Sequence, residues 1–163
     1  MTGVGTIEAM KRYPILFGLR DVVQGNGFLA GVSLAGRALL HEEAEGDVWV
    51  EGVNPGGFSG TGTSPAEALE DFRRSYTALL FDIASDTESF EAFRREVEAF
   101  FDNAGETPLR EWKEAVEDVR TGRLDADWLV RRPADSQLGV RVDRIDHLAA
   151  ANNALEEGPA LAA

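Results

Sequence analysis

The sequence predicts an α+β protein in which a small antiparallel sheet of three to four strands is covered by helices and followed by a more helical C-terminal part. Three features carry this prediction. Two apolar runs, 15–23 and 28–40, flank a turn signal at Asn26 and Gly27, a dipeptide that readily supplies the positive φ of a tight hairpin. Val48, Trp49, Val50 and Glu51 alternate as a half-buried strand does. Beyond Ser64 the apolar residues recur at three- and four-residue steps, the period of an amphipathic helix.

Residues 1–10 carry no assignable pattern. In the return strand 28–40, Leu29, Val32, Leu34, Leu39 and Leu40 are the apolar content, and Gly31 and Gly36 suggest a bulge or bend. Glu42, Glu43 and Glu45 then form a charged turn leading to Trp49. Carboxylates beside His41 invite a calcium-loop reading, but the oxygen spacing that such loops need is absent, and a solvated hairpin tip fits better. Asn54, Pro55, Gly56 and Gly57 break the Trp49 strand before a short run at 58–62. Ser64 is a helix N-cap, Pro65 takes the first helical position where its missing N–H costs nothing, and Glu67 completes an S-x-x-E capping box. Ala66, Leu69, Phe72, Tyr76, Leu79, Leu80 and Ile83 make the buried face of this first helix.

Ser85 and Glu88 form a second capping box and predict a second helix from about Asp86, with Phe90, Phe93, Val97, Phe100 and Phe101 as a core face. Thr107 and Pro108 open a third, ending by Gly122, with Trp112, Ala115, Val116 and Val119 on one side. Residues 125–130 read as one further helical turn and 133–136 as a loop. Leu138, Val140 and Val142 alternate with Gln137, Gly139 and Arg141 as a short two-faced strand, after which Asp143 would cap a helix through Glu157. The expected division is an α+β unit at 13–104 and a helical segment at 105–163.

Composition narrows the chemistry. The 163 residues carry 29 acidic and 16 basic side chains, a net charge of −13, which repels nucleic acid and favours a basic partner, or serves solubility alone. A basic island interrupts this: Arg120, Arg123, Arg131, Arg132, Arg141 and Arg144 against Asp125, Asp127, Asp135 and Asp143, or +6 − 4 = +2. Absence of cysteine excludes disulfides, thiolate nucleophiles and Cys-ligated metals. With two histidines and no G-x-S-x-G or H-E-x-x-H, the sequence offers no nucleophile–base pair or zinc set, so the expectation is a protein without enzymatic activity, cofactor or metal. The glycines before the Ser64 helix are not a phosphate loop, because Thr63 stands where the lysine is required. No signal-peptide or membrane-span pattern occurs, and a cytoplasmic location is expected.

Residues 28–83 resemble the HicB antitoxin family. Trp49, Val50, Pro55, Gly57, Phe58, Gly62, Ser64, Glu67, Ala68 and Leu69 stand at the positions of its W-V-x-x-x-P strand, P-G-C/F turn and G-x-[ST]-x-x-E-A-L helix opening. The resemblance implies a HicB-like, degenerate RNase H-like fold without catalysis. It also implies an antitoxin-type role in a toxin-antitoxin system, binding and blocking a small basic RNA-cleaving toxin, for which Glu42, Glu43 and Glu51 are the candidate acidic contacts. Many HicB-like proteins also carry a ribbon-helix-helix module, and Arg141, His147, Ala154, Gly158 and Leu161 are spaced similarly to parts of it. A degenerate module at 137–161 would set Gln137, Gly139 and Arg141 in the DNA major groove of an autoregulator; a strand and helix packed on the main body is the competing reading. A solitary interaction domain without a toxin, or a homo-oligomer, is also compatible with the sequence.

Overall fold

The structure, a computed structural model, describes residues 10–145 and 160–162. Strands β1 (Lys11–Gln24) and β2 (Leu29–Glu42) form a long antiparallel hairpin, in register from Lys11 opposite Glu42 to Gln24 opposite Leu29. Its turn uses Gly27 at φ 81°. β3 (Val48–Asn54) pairs with the second half of β2. β4 (Gly56–Gly62) returns along β3 after a cis Asn54–Pro55 peptide bond.

Gly60 and Gly62 let the first helix lie close over β4. A Cβ at Gly60 would overlap the backbone of Phe72 and Ala68, so these two glycines serve close approach rather than turning. α1 (Pro65–Asp86) begins as its capping box predicts: the Ser64 hydroxyl accepts from the Glu67 N–H at 3.2 Å, and the Glu67 carboxylate accepts from the Thr63 N–H at 3.0 Å. Its buried residues are Ala68, Leu69, Phe72, Tyr76, Leu80 and Ala84; Ala66, expected on this face, is exposed.

α1 runs on to Asp86, so Ser85 lies inside it and caps nothing. Ser89 is the cap of α2 (Phe90–Asp102), its hydroxyl accepting from the Ala92 N–H at 3.2 Å. Phe93, Val97 and Phe101 are buried, and Phe90 meets Phe28 edge-on at 5.9 Å. The phenylalanine face is therefore core. α3 (Glu106–Arg120) packs on the opposite side of the sheet, where Trp112, Ala115 and Val116 form a second, smaller cluster with Leu16, Leu39, Val53 and Ala162.

Among the described residues the sheet has seven strands, more than the three to four expected. The additions come from the C-terminal part: β5 (Arg131–Arg132), β6 (Gly139–Arg144) and β7 (Ala160–Ala162). β6 pairs with the first half of β2, β7 pairs with β1 at Ile15 and Leu16, and β5 runs parallel to β7. The sheet is thus mixed, in the order β4-β3-β2-β1-β7-β5 with β6 beside β2. Residues on both sides of the expected boundary near Gly105 contribute to it. No helix among the described residues is long and apolar enough to cross a membrane.

Gly60→Ala is expected to destabilise the protein by about 2 kcal/mol through overpacking against α1, whereas Gly139→Ala, where an added Cβ meets nothing within 4 Å, leaves stability unchanged. Denaturant unfolding of the two variants checks the contrast; equal midpoints would contradict the close approach.

Candidate functional site

Hairpin registers align four side chains in a row across the face that α3 covers. Arg12 on β1 lies opposite His41 on β2, His41 opposite Trp49 on β3, and Trp49 opposite Thr61 on β4. Glu51, two residues beyond Trp49, falls on the same face. α3 brings Glu111 and Glu114 over Arg12, with N–O distances of 3.3 Å and 3.6 Å. Together Met10, Arg12, His41, Trp49, Glu51 and Glu111 line an open hollow of about 370 Å³.

His41 is the unusual member. Its side chain is 4 % exposed, and its ring stacks on Trp49 with centroids 3.7 Å apart and planes 6° from parallel. Nε2 approaches the Glu51 carboxylate to 3.5 Å but is not aligned for a hydrogen bond, and neither ring nitrogen has a hydrogen-bond partner among the described residues. Burial, with the Arg12 charge as a second cause, pushes the imidazole pKa down to about 4. The contact with Glu51 is therefore not an ion pair at neutral pH. Burial and repulsion from Glu111 raise the Glu51 carboxyl above its ordinary range. No group of three His, Cys, Asp or Glu side chains suited to a metal occurs among the described residues. What the arrangement offers is an uncharged imidazole, an aromatic wall and carboxylates, groups for hydrogen bonding and charge.

The three expected acidic contacts do not share one surface. Glu42 points to the opposite face of the sheet from Glu51, where its carboxylate accepts from the Tyr13 hydroxyl at 3.2 Å and helps burial to push that phenol up to about 12. Glu43 opens the β2–β3 turn, its N–H donating to the Asp47 carbonyl at 2.9 Å. Glu51 lies instead against His41. The row of Arg12, His41 and Trp49 was not visible as a group in the sequence, because only the register joins them.

Gln137, Gly139 and Arg141 are exposed. They line a depression with Gly18, Arg20 and Ser33, and Arg141 pairs with Asp143 at 2.8 Å. Asp143 belongs to β6; the helix it would cap lies outside the described residues, as do His147, Ala154 and Gly158. Leu161 is fully buried opposite Ile15. No family model, curated protein or solved structure matches the chain.

The depressed imidazole pKa fixes a pH dependence. Between about 6.5 and 4 the unfolded chain binds a proton that folded His41 excludes, so stability falls as pH drops through that window. Glu51 acts in the opposite sense at the acidic end, since its raised pKa lets the folded state take up a proton first. His41→Phe keeps an aromatic ring against Trp49 and removes the titration. From pH 7 to 4 the wild type is expected to lose on the order of 2 kcal/mol more than this variant, measured by denaturant unfolding; parallel profiles would contradict a neutral buried His41.

Proposed function

We propose that this chain is a non-enzymatic, antitoxin-type binding protein that holds and occludes a small basic RNA-cleaving partner. The observation that carries the reading is how the strand, turn and capped helix at 48–86 are assembled. Trp49 projects from β3, Pro55 and Gly57 shape the hairpin, and Phe58 stacks on Phe72 at 4.4 Å. Gly62 lies beneath Glu67, and Ser64 caps α1. These are the residues on which the resemblance to the HicB family rests, and each has a structural task in one compact unit.

Charge supports a basic partner. Beyond the net −13, the β2–β3 turn places Glu43, Glu45 and Asp47 together with Glu42 at one end of the sheet, with Glu45 and Asp47 exposed. Such a rim steers a cationic protein and repels its nucleic-acid substrate. DNA binding through Gln137, Gly139 and Arg141 is the weaker reading. β6 spends one edge on β2, and a two-stranded ribbon with a second chain would have to form on the other.

Affinity capture from the source lysate is expected to recover a small basic protein in fixed ratio, which cleaves RNA alone and is silent in the complex. The double variant Glu43→Lys, Glu45→Lys should weaken that complex by about tenfold at low salt and less at high salt. Capture of no basic protein, or of one whose activity is unaffected by binding, would sink the proposal.

A further inference from the structure

β6 has one paired edge. Ile145, which follows it, donates its N–H to the Leu29 carbonyl at 2.8 Å, and Gly139, Arg141 and Asp143 share that phase, so their backbone groups turn toward β2. Val140, Val142 and Arg144 therefore direct their N–H and C=O groups to the other side, where no strand among the described residues pairs with them. Beside β3 the corresponding place is filled by β4, whose own outer edge is engaged at Thr61 by Asp71, the carboxylate accepting from the Thr61 N–H at 2.9 Å. Beside β6 the place is open among the described residues, and an open edge is a template for another strand.

The residues of β6 select what fits there. Against a second β6 running antiparallel, a register centred on Arg141 sets arginine against arginine, and one centred on Asp143 sets aspartate against aspartate; like charges directly opposite are destabilising. A register centred on Val142 sets Arg141 against Asp143 of the second copy, and does so twice. In that register the outward backbone groups of Val140, Val142 and Arg144 fall into hydrogen-bonded pairs, Val140 with Arg144 on either side of a Val142 pair. Arg141 and Asp143 fall into the intervening pairs, where side chains approach most closely, and both are exposed. We infer that β6 is a self-association edge, through which two copies of this chain join antiparallel about Val142 so that one sheet runs through both. The contact is isologous, each copy offering the same strand. The joined strands stay part of the two body sheets, with β2 on the far side of each. A net charge of −13 on each copy opposes the approach, so the local match of sign at Arg141 and Asp143 decides the register. Six residues make a small joint, and the association is accordingly weak. This assembly is independent of the partner proposed above.

The test is sedimentation equilibrium of the purified full chain from about 1 µM to about 1 mM, where a monomer–dimer equilibrium is expected. Arg141→Asp and Asp143→Arg each set like charges across the joint, and each is expected to weaken the dimer about tenfold. An equimolar mixture of the two variants brings opposite signs together again at both sites, and is expected to recover the wild-type affinity as a heterodimer. Should either charge reversal fail to fold, Val140→Pro removes an outward N–H without touching the β2 ladder and is expected to weaken the dimer likewise. A chain that stays monomeric throughout the range overturns the inference. A dimer indifferent to the charge reversals, or a mixture that associates no better than its components, overturns the pairing about Val142.

Discussion

Once β1 has taken one edge of β2, a single edge remains, and two strands from distant parts of the chain divide it. β3 occupies residues 37–42 and β6 occupies 30–35. The changeover falls at the irregularity between Arg37 and Ala38. Arg37 secures it by donating from Nε and Nη2 to the Asn54 side-chain oxygen, at 3.0 Å and 2.6 Å. Its guanidinium also lies 5.1 Å from the centre of the Trp112 ring, which ties α3 to the same point. Gly36 is needed beside it, because a Cβ there would overlap the Asn54 carbonyl. The end of the β3–β4 hairpin, the seat of α3 and the start of the β6 pairing all depend on this one junction.

The two faces of the sheet have different energetic characters as a result. Under α1 and α2 lies a large aromatic core, with Phe72 touching Phe17 edge-on at 5.0 Å and Phe58 stacked at 4.4 Å. Burial of this kind supplies the favourable part of folding. Under α3 the apolar cluster is smaller, and it gives way at one end to Arg12, His41, Glu51 and Glu111. Poorly satisfied buried groups of this kind cost stability, and the larger aromatic core on the other face offsets that cost.

Local signals in the sequence reveal the elements that local physics builds. The Asn26–Gly27 turn, the alternation through Trp49 and the Ser64 cap with Glu67 each depend on neighbours a few residues apart, and each appears in the structure. Ser85 and Ser89 both precede helical sequence by the right interval; burial of Ala84 against the core, a tertiary effect, extends α1 past the first and leaves the second as the cap. β5 and β7 are too short to show any period, and their partners are remote in sequence. The same holds for the site. His41 and its neighbouring acids are plain in the sequence, but the cluster around it includes Glu111, which reaches Arg12 across 99 residues.

Leu161 and Ala162 belong to the centre of the protein although β1, which they cover, lies far from them in sequence. Leu161 is fully buried against Ile15, 161 − 15 = 146 residues earlier. As a ribosome makes the chain from its first residue, the β1–β2 hairpin and its helices emerge long before these two side chains exist. Until then the outer edge of β1 lacks this cover, and an uncovered edge is what recruits other strands. The outer edge of β1 is thus covered by residues made 146 positions later, and a nascent chain stalled before residue 160 leaves that edge open to other strands.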